Sequence, residues 1–338
     1  MALQVGLPAE AYTSEAAWQR DREQLVLPGW WVVAHQAEIS DRGDVVSFTI
    51  AGTPLIVVQT GDAGVRVFLN ACRHRAGPLI WPDEHLRRQP RLRCRYHGWQ
   101  YDLTGTLLAT PQFGAPCPEL SLVEVPSVVW RGLVFACPGG TPAESADALL
   151  AALRRTFDGR DLEGLELHSR SSHELACDWK VYVENYLEGY HIPFAHPGLA
   201  REVRLADYTV HIDGPVVEHR VAPRTADAVS AGCWAWAWPG LALNVYAGGL
   251  CVERMVPVAC GRTRLDYLYL FAADRSLEER ARSIATSQEV TEEDRRLVEA
   301  VQRGLGAGMD PGPLSPRHEQ GLVAFHQRVR EGWSRIPA

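Results

Sequence analysis

Two short segments constrain this chain more than any other feature. "NACRHRAGPL" carries Cys72 and His74, and "CRYHGWQYDLTG" carries Cys94 and His97. The full pattern is Cys-x-His, nineteen intervening residues, then Cys-x-x-His, so each of two loops offers one soft thiolate and one imidazole. An ordinary hairpin with a buried thiol explains one loop and leaves the other unaccounted for. Four such ligands are able to close a tetrahedral zinc site, but zinc knuckles usually pair Cys with Cys. A mixed pair in each loop suits two irons in different environments, both thiolates on one and both imidazoles on the other, which raises the reduction potential above that of an all-cysteine cluster.

The surroundings agree. From Trp30 to Cys137 short runs such as "WWVVAHQAEI", "DVVSFTIAG", "PLIVVQT" and "VRVFLNAC" alternate with Gly, Asp and Pro, the texture of a small β-sandwich or barrel. "CPGGTP" at 137–142 reads as a linker turn. Beyond it, helical patterns at about 144–156, 178–190 and 276–304 flank strands between about 205 and 272, and a further helix fits 14–25. The expected class is α+β, with a β domain over 28–138 and a second domain made of 1–27 and 139–338. A length of 338 residues, 46% hydrophobic and 22% charged, fits two globular domains. A net charge of -7 with scattered Lys and Arg offers nothing to a nucleic-acid backbone. No run of about eighteen apolar residues and no basic-then-apolar leader is present, so a soluble, cytoplasmic protein without a membrane partner is expected. Eight irregularly spaced cysteines do not suggest a disulfide framework, and Cys117, Cys137, Cys177, Cys233, Cys251 and Cys260 read as buried small hydrophobes.

A second constellation lies in "DWKVYVENYLEGYHIPFAHPGL", residues 178–199. On a helix, Asn185, Glu188 and His191 fall at i, i+3 and i+6, close to one face, and Pro193 ends the helix so that His196 swings back beside His191. Two imidazoles and a carboxylate with open positions make the facial triad of non-haem iron(II) oxygenases. Taken alone, two histidines five apart also fit a plain helix end.

Together, "CRHRAGPL", "CRYHGWQYDLTG" and "ENYLEGYHIPFAH" resemble the α-subunits of the Rieske non-haem iron oxygenases, and the resemblance extends over nearly the whole chain. It implies an all-β Rieske [2Fe-2S] domain followed by a helix-grip catalytic domain, an antiparallel sheet with helices. Cys72 and Cys94 would hold one iron and His74 and His97 the other, shielded by Trp99 and Tyr101, with His85 a solvated loop residue. His191 and His196 would hold the mononuclear Fe(II). Matching "TEEDRRLVEAVQRGL" to the family's C-terminal ligand helix on Glu299 selects Asp294 as the third ligand, beside Glu293; Thr291-x-x-Asp294 also resembles a capping box. Asn185 falls near the metal. Glu188 stands where most members carry Asp, an acid that bridges the mononuclear histidine to a cluster histidine of the adjacent subunit; here it would link His191 to His97 of a neighbouring chain.

The resemblance is greatest to the choline, glycine betaine and carnitine oxygenase branch. It implies a homotrimer, O2 as cosubstrate, a separate flavin and iron-sulfur reductase, and hydroxylation or oxidative N-dealkylation of a small quaternary ammonium compound. An aromatic or methoxylated substrate is the alternative. "CWAWAWPGLALNVYAGG" places Trp234, Trp236 and Trp238 on one face of a strand, with Tyr246 following, as a candidate cation-binding surface or as simple core packing. A pure electron carrier would leave the second domain without a task, and a zinc-stabilised binding module would leave the "ENYLEGYHIPFAH" segment unexplained.

Overall fold

The computed structural model describes residues 5–62, 64–82, 84–160, 162–225 and 228–335. The chain divides into two compact units, residues 27–146 and residues 1–26 with 147–338. The first unit is all β apart from single turns. A three-stranded sheet joins Trp31–His35, Leu133–Ala136 and Ser127–Trp130; a four-stranded one runs Val65–Leu69, Thr53–Gln59, Val45–Ile50 and His85–Leu86; a third joins Leu92–Arg93, Gln100–Tyr101 and Leu107–Ala109. Val45, Ile56, Phe68, Leu92 and Tyr101 meet in its core. The "DLTG" turn closes on itself: the Asp102 carboxylate accepts the amides of Thr104 and Thr106 at 2.8 and 2.9 Å. Gly105 has φ +86°, and a Cβ there would lie 2.6 Å from the Phe68 ring, so no larger residue fits.

The segment after Cys137, expected to be a linker, belongs to this β unit. Gly139 and Ala143 donate backbone hydrogen bonds to Leu27 and Pro28, and the Trp30 indole donates to the Glu144 carbonyl. These bonds tie residues 139–146 to the strand entrance, which moves the boundary from 138 to 146. His85 also departs from expectation, since it lies in a short strand opposite Val46.

The second unit is built on a seven-stranded antiparallel sheet in the order Glu166–Leu175, Arg262–Phe271, Gly249–Ala259, Leu241–Tyr246, Ser230–Ala237, Val216–Arg220 and Thr209–Asp213. Helix Trp179–Tyr186 packs against strand Gly249–Ala259, against the long helix Leu277–Gly306 and against the C-terminal helix Gln320–Trp333. The long helix begins with a capping box in which Ser276 and Glu279 satisfy each other's backbone amides. Thr291 lies in its middle and bonds back to the Ser287 carbonyl at 2.8 Å, so the capping box suspected at 291–294 does not exist. The N-terminal pattern is realised as Glu15–Asp21 followed by a π-turn, Arg22–Val26. Cys137, Cys177, Cys233 and Cys251 are buried, whereas Cys117 is exposed and Cys260 half-buried, contrary to the reading of all six as core residues. Among the described residues no helix is long and apolar enough to cross a membrane.

A fully buried Lys180 ties three helices together. Its ammonium pairs with Asp21 and lies 2.8 Å from Asp178, and the Trp333 indole donates to the other oxygen of Asp21 at 2.6 Å. Burial works against the charge, but the two aspartates outweigh it and raise the lysine pKa. Lys180→Met leaves two buried carboxylates without a cation and is expected to cost about 3–5 kcal/mol of stability, measured by denaturant unfolding of the purified protein.

Candidate metal centres and substrate cavity

In the β unit the loops of residues 72–77 and 94–99 face each other. The Cys94 amide donates to the Trp99 carbonyl and the Cys72 amide to the Gly77 carbonyl, each at 2.8 Å, which curls both loops around their ligand residues. Gly77 permits this approach, because a Cβ there would stand 2.9 Å from Tyr96 and 3.3 Å from Cys94 Sγ. The two cysteines are buried, and the His74 and His97 rings lie 4.6 Å apart, with His97 facing solvent. Trp99 stacks on His74 at 5.0 Å, and the Tyr101 hydroxyl lies 3.1 Å from Cys72 Sγ. The Tyr96 amide donates to Cys94 Sγ at 3.4 Å. Buried Nδ1 of His74 has no protein partner, as a metal-facing nitrogen requires. The donor set of two thiolates and two imidazoles fits a Rieske cluster.

In the other unit the expected helix over 178–190 stops at Tyr186, capped at Leu187. Asn185 is in its last turn, but Glu188 and His191 lie in the irregular segment beyond it. Pro193 starts the next helix, Ile192–Ala195, and does not end the previous one, because a proline in the first turn costs no hydrogen bond. The single helix face drawn from i, i+3, i+6 spacing is therefore replaced by a tight turn. Glu188 organises that turn: its Oε2 accepts the His191 amide at 3.1 Å and also the Tyr190 amide, while Oε1 pairs with His191 Nδ1.

His196 is held in the same way from the other side. Its Nδ1 lies 2.7 Å from Glu293 Oε2, on the long helix. Both imidazoles thus present Nδ1–H to a carboxylate and keep the Nε2 lone pair free. The two Nε2 atoms are 3.1 Å apart, and Asp294 Oδ1 lies 3.0 Å from that of His196 and 3.7 Å from that of His191. Donors on one octahedral face at bonds of about 2.1 Å stand about 3.0 Å apart, so the three atoms are spaced to share one metal ion. Burial opposes a charge on His196, 1% exposed, but Asp294 and Glu293 raise its pKa nonetheless. Asn185 Nδ2 donates to Asp294 Oδ1 at 2.7 Å and fixes that carboxylate. Adjacent residues on the long helix point to different histidine atoms, Asp294 to Nε2 and Glu293 to Nδ1.

Beside this triad opens a cavity of about 850 Å³ including its mouth, between the sheet and the helices. Trp234 and Tyr246 line it. Trp236 and Trp238 do not: they pack edge-on to each other and against Phe325 of the C-terminal helix, with Trp238 beyond the end of its strand. Parity places Trp234 and Trp236 on one face, but two residues of strand rise about 6.6 Å, enough to carry the second from open cavity to covered core. Trp234 stacks on His219 at 5.6 Å, and burial lowers the His219 pKa to about 3. Sequence reasoning did not single out Tyr182, Tyr186, Asn244, Glu253 and Tyr267, which also line the cavity. The available signal was Glu253 itself, a lone acid within "GLCVERMVPVA", one of the most apolar strands.

Comparison with known proteins follows the same division. Residues 29–129 match the Rieske [2Fe-2S] domain, and residues 162–231 and 216–334 match the ring hydroxylating alpha subunit catalytic domain. The carnitine monooxygenase oxygenase subunit of Escherichia coli (strain K12) is 27% identical over 96% of this chain and 93% of its own. The chloroplastic choline monooxygenase of Atriplex hortensis is 26% identical over 94% of this chain and 76% of its own. Among solved structures, the quaternary ammonium Rieske monooxygenase CntA superposes with a TM-score of 0.89 at 24% identity, covering 98% of this chain and 96% of that one. Naphthalene 1,2-dioxygenase superposes at 0.81 with 16% identity, covering 98% and 92%, so the fold is shared by enzymes of unlike substrates. The chain belongs to the Rieske-type oxygenases, enzymes with a [2Fe-2S] domain and a ring-hydroxylating alpha-subunit catalytic domain that use a mononuclear iron and O2.

Proposed function

We propose that this chain is the terminal oxygenase of a multicomponent system that hydroxylates a C–H bond of a small quaternary ammonium substrate, with N-dealkylation where the hydroxylated carbon bears the nitrogen. Cys72, Cys94, His74 and His97 would hold the cluster, and His191, His196 and Asp294 the mononuclear iron. When bound, these centres supply one-electron transfer and O2 activation. The chain's own residues do the rest. Glu188 and Glu293 keep each histidine in the tautomer that leaves Nε2 free, Asn185 aims Asp294, and the aromatic cavity orients the substrate and excludes water. The observation that carries this reading is the convergence of Nε2, Nε2 and Oδ1 in the wall of that cavity.

Electrons would come from a separate flavin and iron-sulfur reductase, and Glu188 would link His191 to His97 of an adjacent chain in a homotrimer. The solvent-facing ring of His97 supports the link, as does the Glu188 carboxylate already seated on His191 Nδ1. The substrate class is supported by the carnitine and choline monooxygenases among the relatives. Aromatic compounds are the second reading, since Trp234 and Tyr246 would equally stack against a flat ring.

Three outcomes test this. In a single turnover of chemically reduced enzyme with O2, mass spectrometry should find oxidised choline, betaine or carnitine; products only from aromatic or methoxylated compounds would move the chain to the second reading. Asp294→Ala should leave only the two cluster irons per chain by metal analysis, whereas Glu293→Ala should keep the third iron and bind it about 10–100-fold more weakly. Glu188→Gln should retain all metal yet nearly abolish turnover; an unchanged rate would remove Glu188 from the electron path.

A further inference from the structure

One group in the cavity has no part in the reading above. Glu253 lies mid-strand, 3% exposed, and its Oε1 accepts the hydroxyls of Tyr182 at 2.6 Å and Tyr267 at 2.9 Å. Its Oε2 has a single long contact, Asn244 Nδ2 at 3.4 Å. The next residue, Arg254, turns to the opposite face of the sheet and lies 3.5 Å from Asp266. Among the described residues no Lys or Arg lines the cavity, whereas Glu188, Glu202, Glu253 and Asp294 do. Glu188 and Asp294 are engaged at the histidines, and Glu202 accepts the amides of Val229 and Ser230 at 3.1 and 3.3 Å. Glu253 differs from half-buried Glu202 in being shut off from water, with only the Asn244 contact on its Oε2. Burial pushes its pKa up to about 7 despite the tyrosine hydroxyls that hydrogen-bond to it.

A buried carboxylate without a cation is costly, and the cost falls when a cation arrives from outside. Tyr186, Trp234, Tyr246 and Tyr267 line the same space, and aromatic rings attract a soft, weakly hydrated cation. From this geometry we infer that Glu253 is the counter-charge for an onium group of the substrate and so determines charge specificity at this site. The inference rests on the quaternary ammonium reading and adds to it the residue that tells an ammonium from a neutral group of the same shape. A Glu253 that only clamps two tyrosines would support the cavity wall and show no such discrimination.

Calorimetric binding to the oxidised holoenzyme, without reductase and hence without turnover, separates the two roles. The probes are choline and 3,3-dimethylbutan-1-ol, its neutral carbon isostere. The wild type should bind choline at least about tenfold more tightly than the isostere, and Glu253→Gln should erase most of that preference while leaving isostere binding within about twofold. Glu253→Asp covers the case in which the glutamine variant does not fold: it retracts the charge by one methylene and should weaken choline about threefold or more, with the isostere unchanged. If the wild type prefers choline but the variants weaken both ligands equally or neither, the role of Glu253 is overturned and the ammonium reading stands. If the wild type shows no preference for choline, both fall together.

Discussion

Three electron-rich atoms, Nε2 of His191, Nε2 of His196 and Oδ1 of Asp294, stand 3.0–3.7 Å apart around a common point. With Nδ1 of each histidine already held by a glutamate, these three atoms are the ones left facing one another, at the spacing that donors to a single metal ion take. The catalytic unit is arranged to hold them there. The site helix stops at Tyr186 so that the chain can turn, Pro193 restarts it, and the long helix crosses close enough to deliver Asp294. Asn185 and the two Nδ1-bound glutamates then remove the remaining freedom of the three side chains.

The helices that carry these residues are fixed by interactions away from the site. Lys180, one residue inside the site helix, is clamped between Asp21 and Asp178 with no exposure to solvent, and Trp179 packs edge-on to Phe325 of the C-terminal helix at 5.7 Å. Such a buried ion pair adds little net stability over an apolar contact but penalises any other placement of the helix severely. The "DWK" segment thus sets the position from which "ENY" reaches the metal face.

Shared folds across carnitine-acting and naphthalene-acting enzymes mean that the sheet and helices do not choose the substrate. On the cavity side of the sheet, Trp234, Asn244, Glu253 and Tyr267 sit on four successive strands. Among the described residues four carboxylates and several aromatic rings line this cavity, with His191 and His196 and without Lys or Arg.

The two-part α+β architecture was legible in the sequence, and the ligand types and spacing of Cys72, His74, Cys94 and His97 pointed to an iron-sulfur site because they are local properties of short loops, while the oxygenase class came through the likeness of those loops and of "ENYLEGYHIPFAH" to a known family. Asp294 was legible only through the likeness of its helix to others, since 97 residues separate it from His196. Tertiary structure decided what depended on distant neighbours. It put Glu293 on Nδ1 of His196, where spacing alone could not tell it from Asp294. It turned Trp236 into a core residue and packed half-buried Trp238 beside it, because a helix from the far C-terminus meets both. It also gave Glu253 its place, since a charge in an apolar strand acquires meaning only when the strands and helix around it supply two phenols and a cavity that, among the described residues, no Lys or Arg lines.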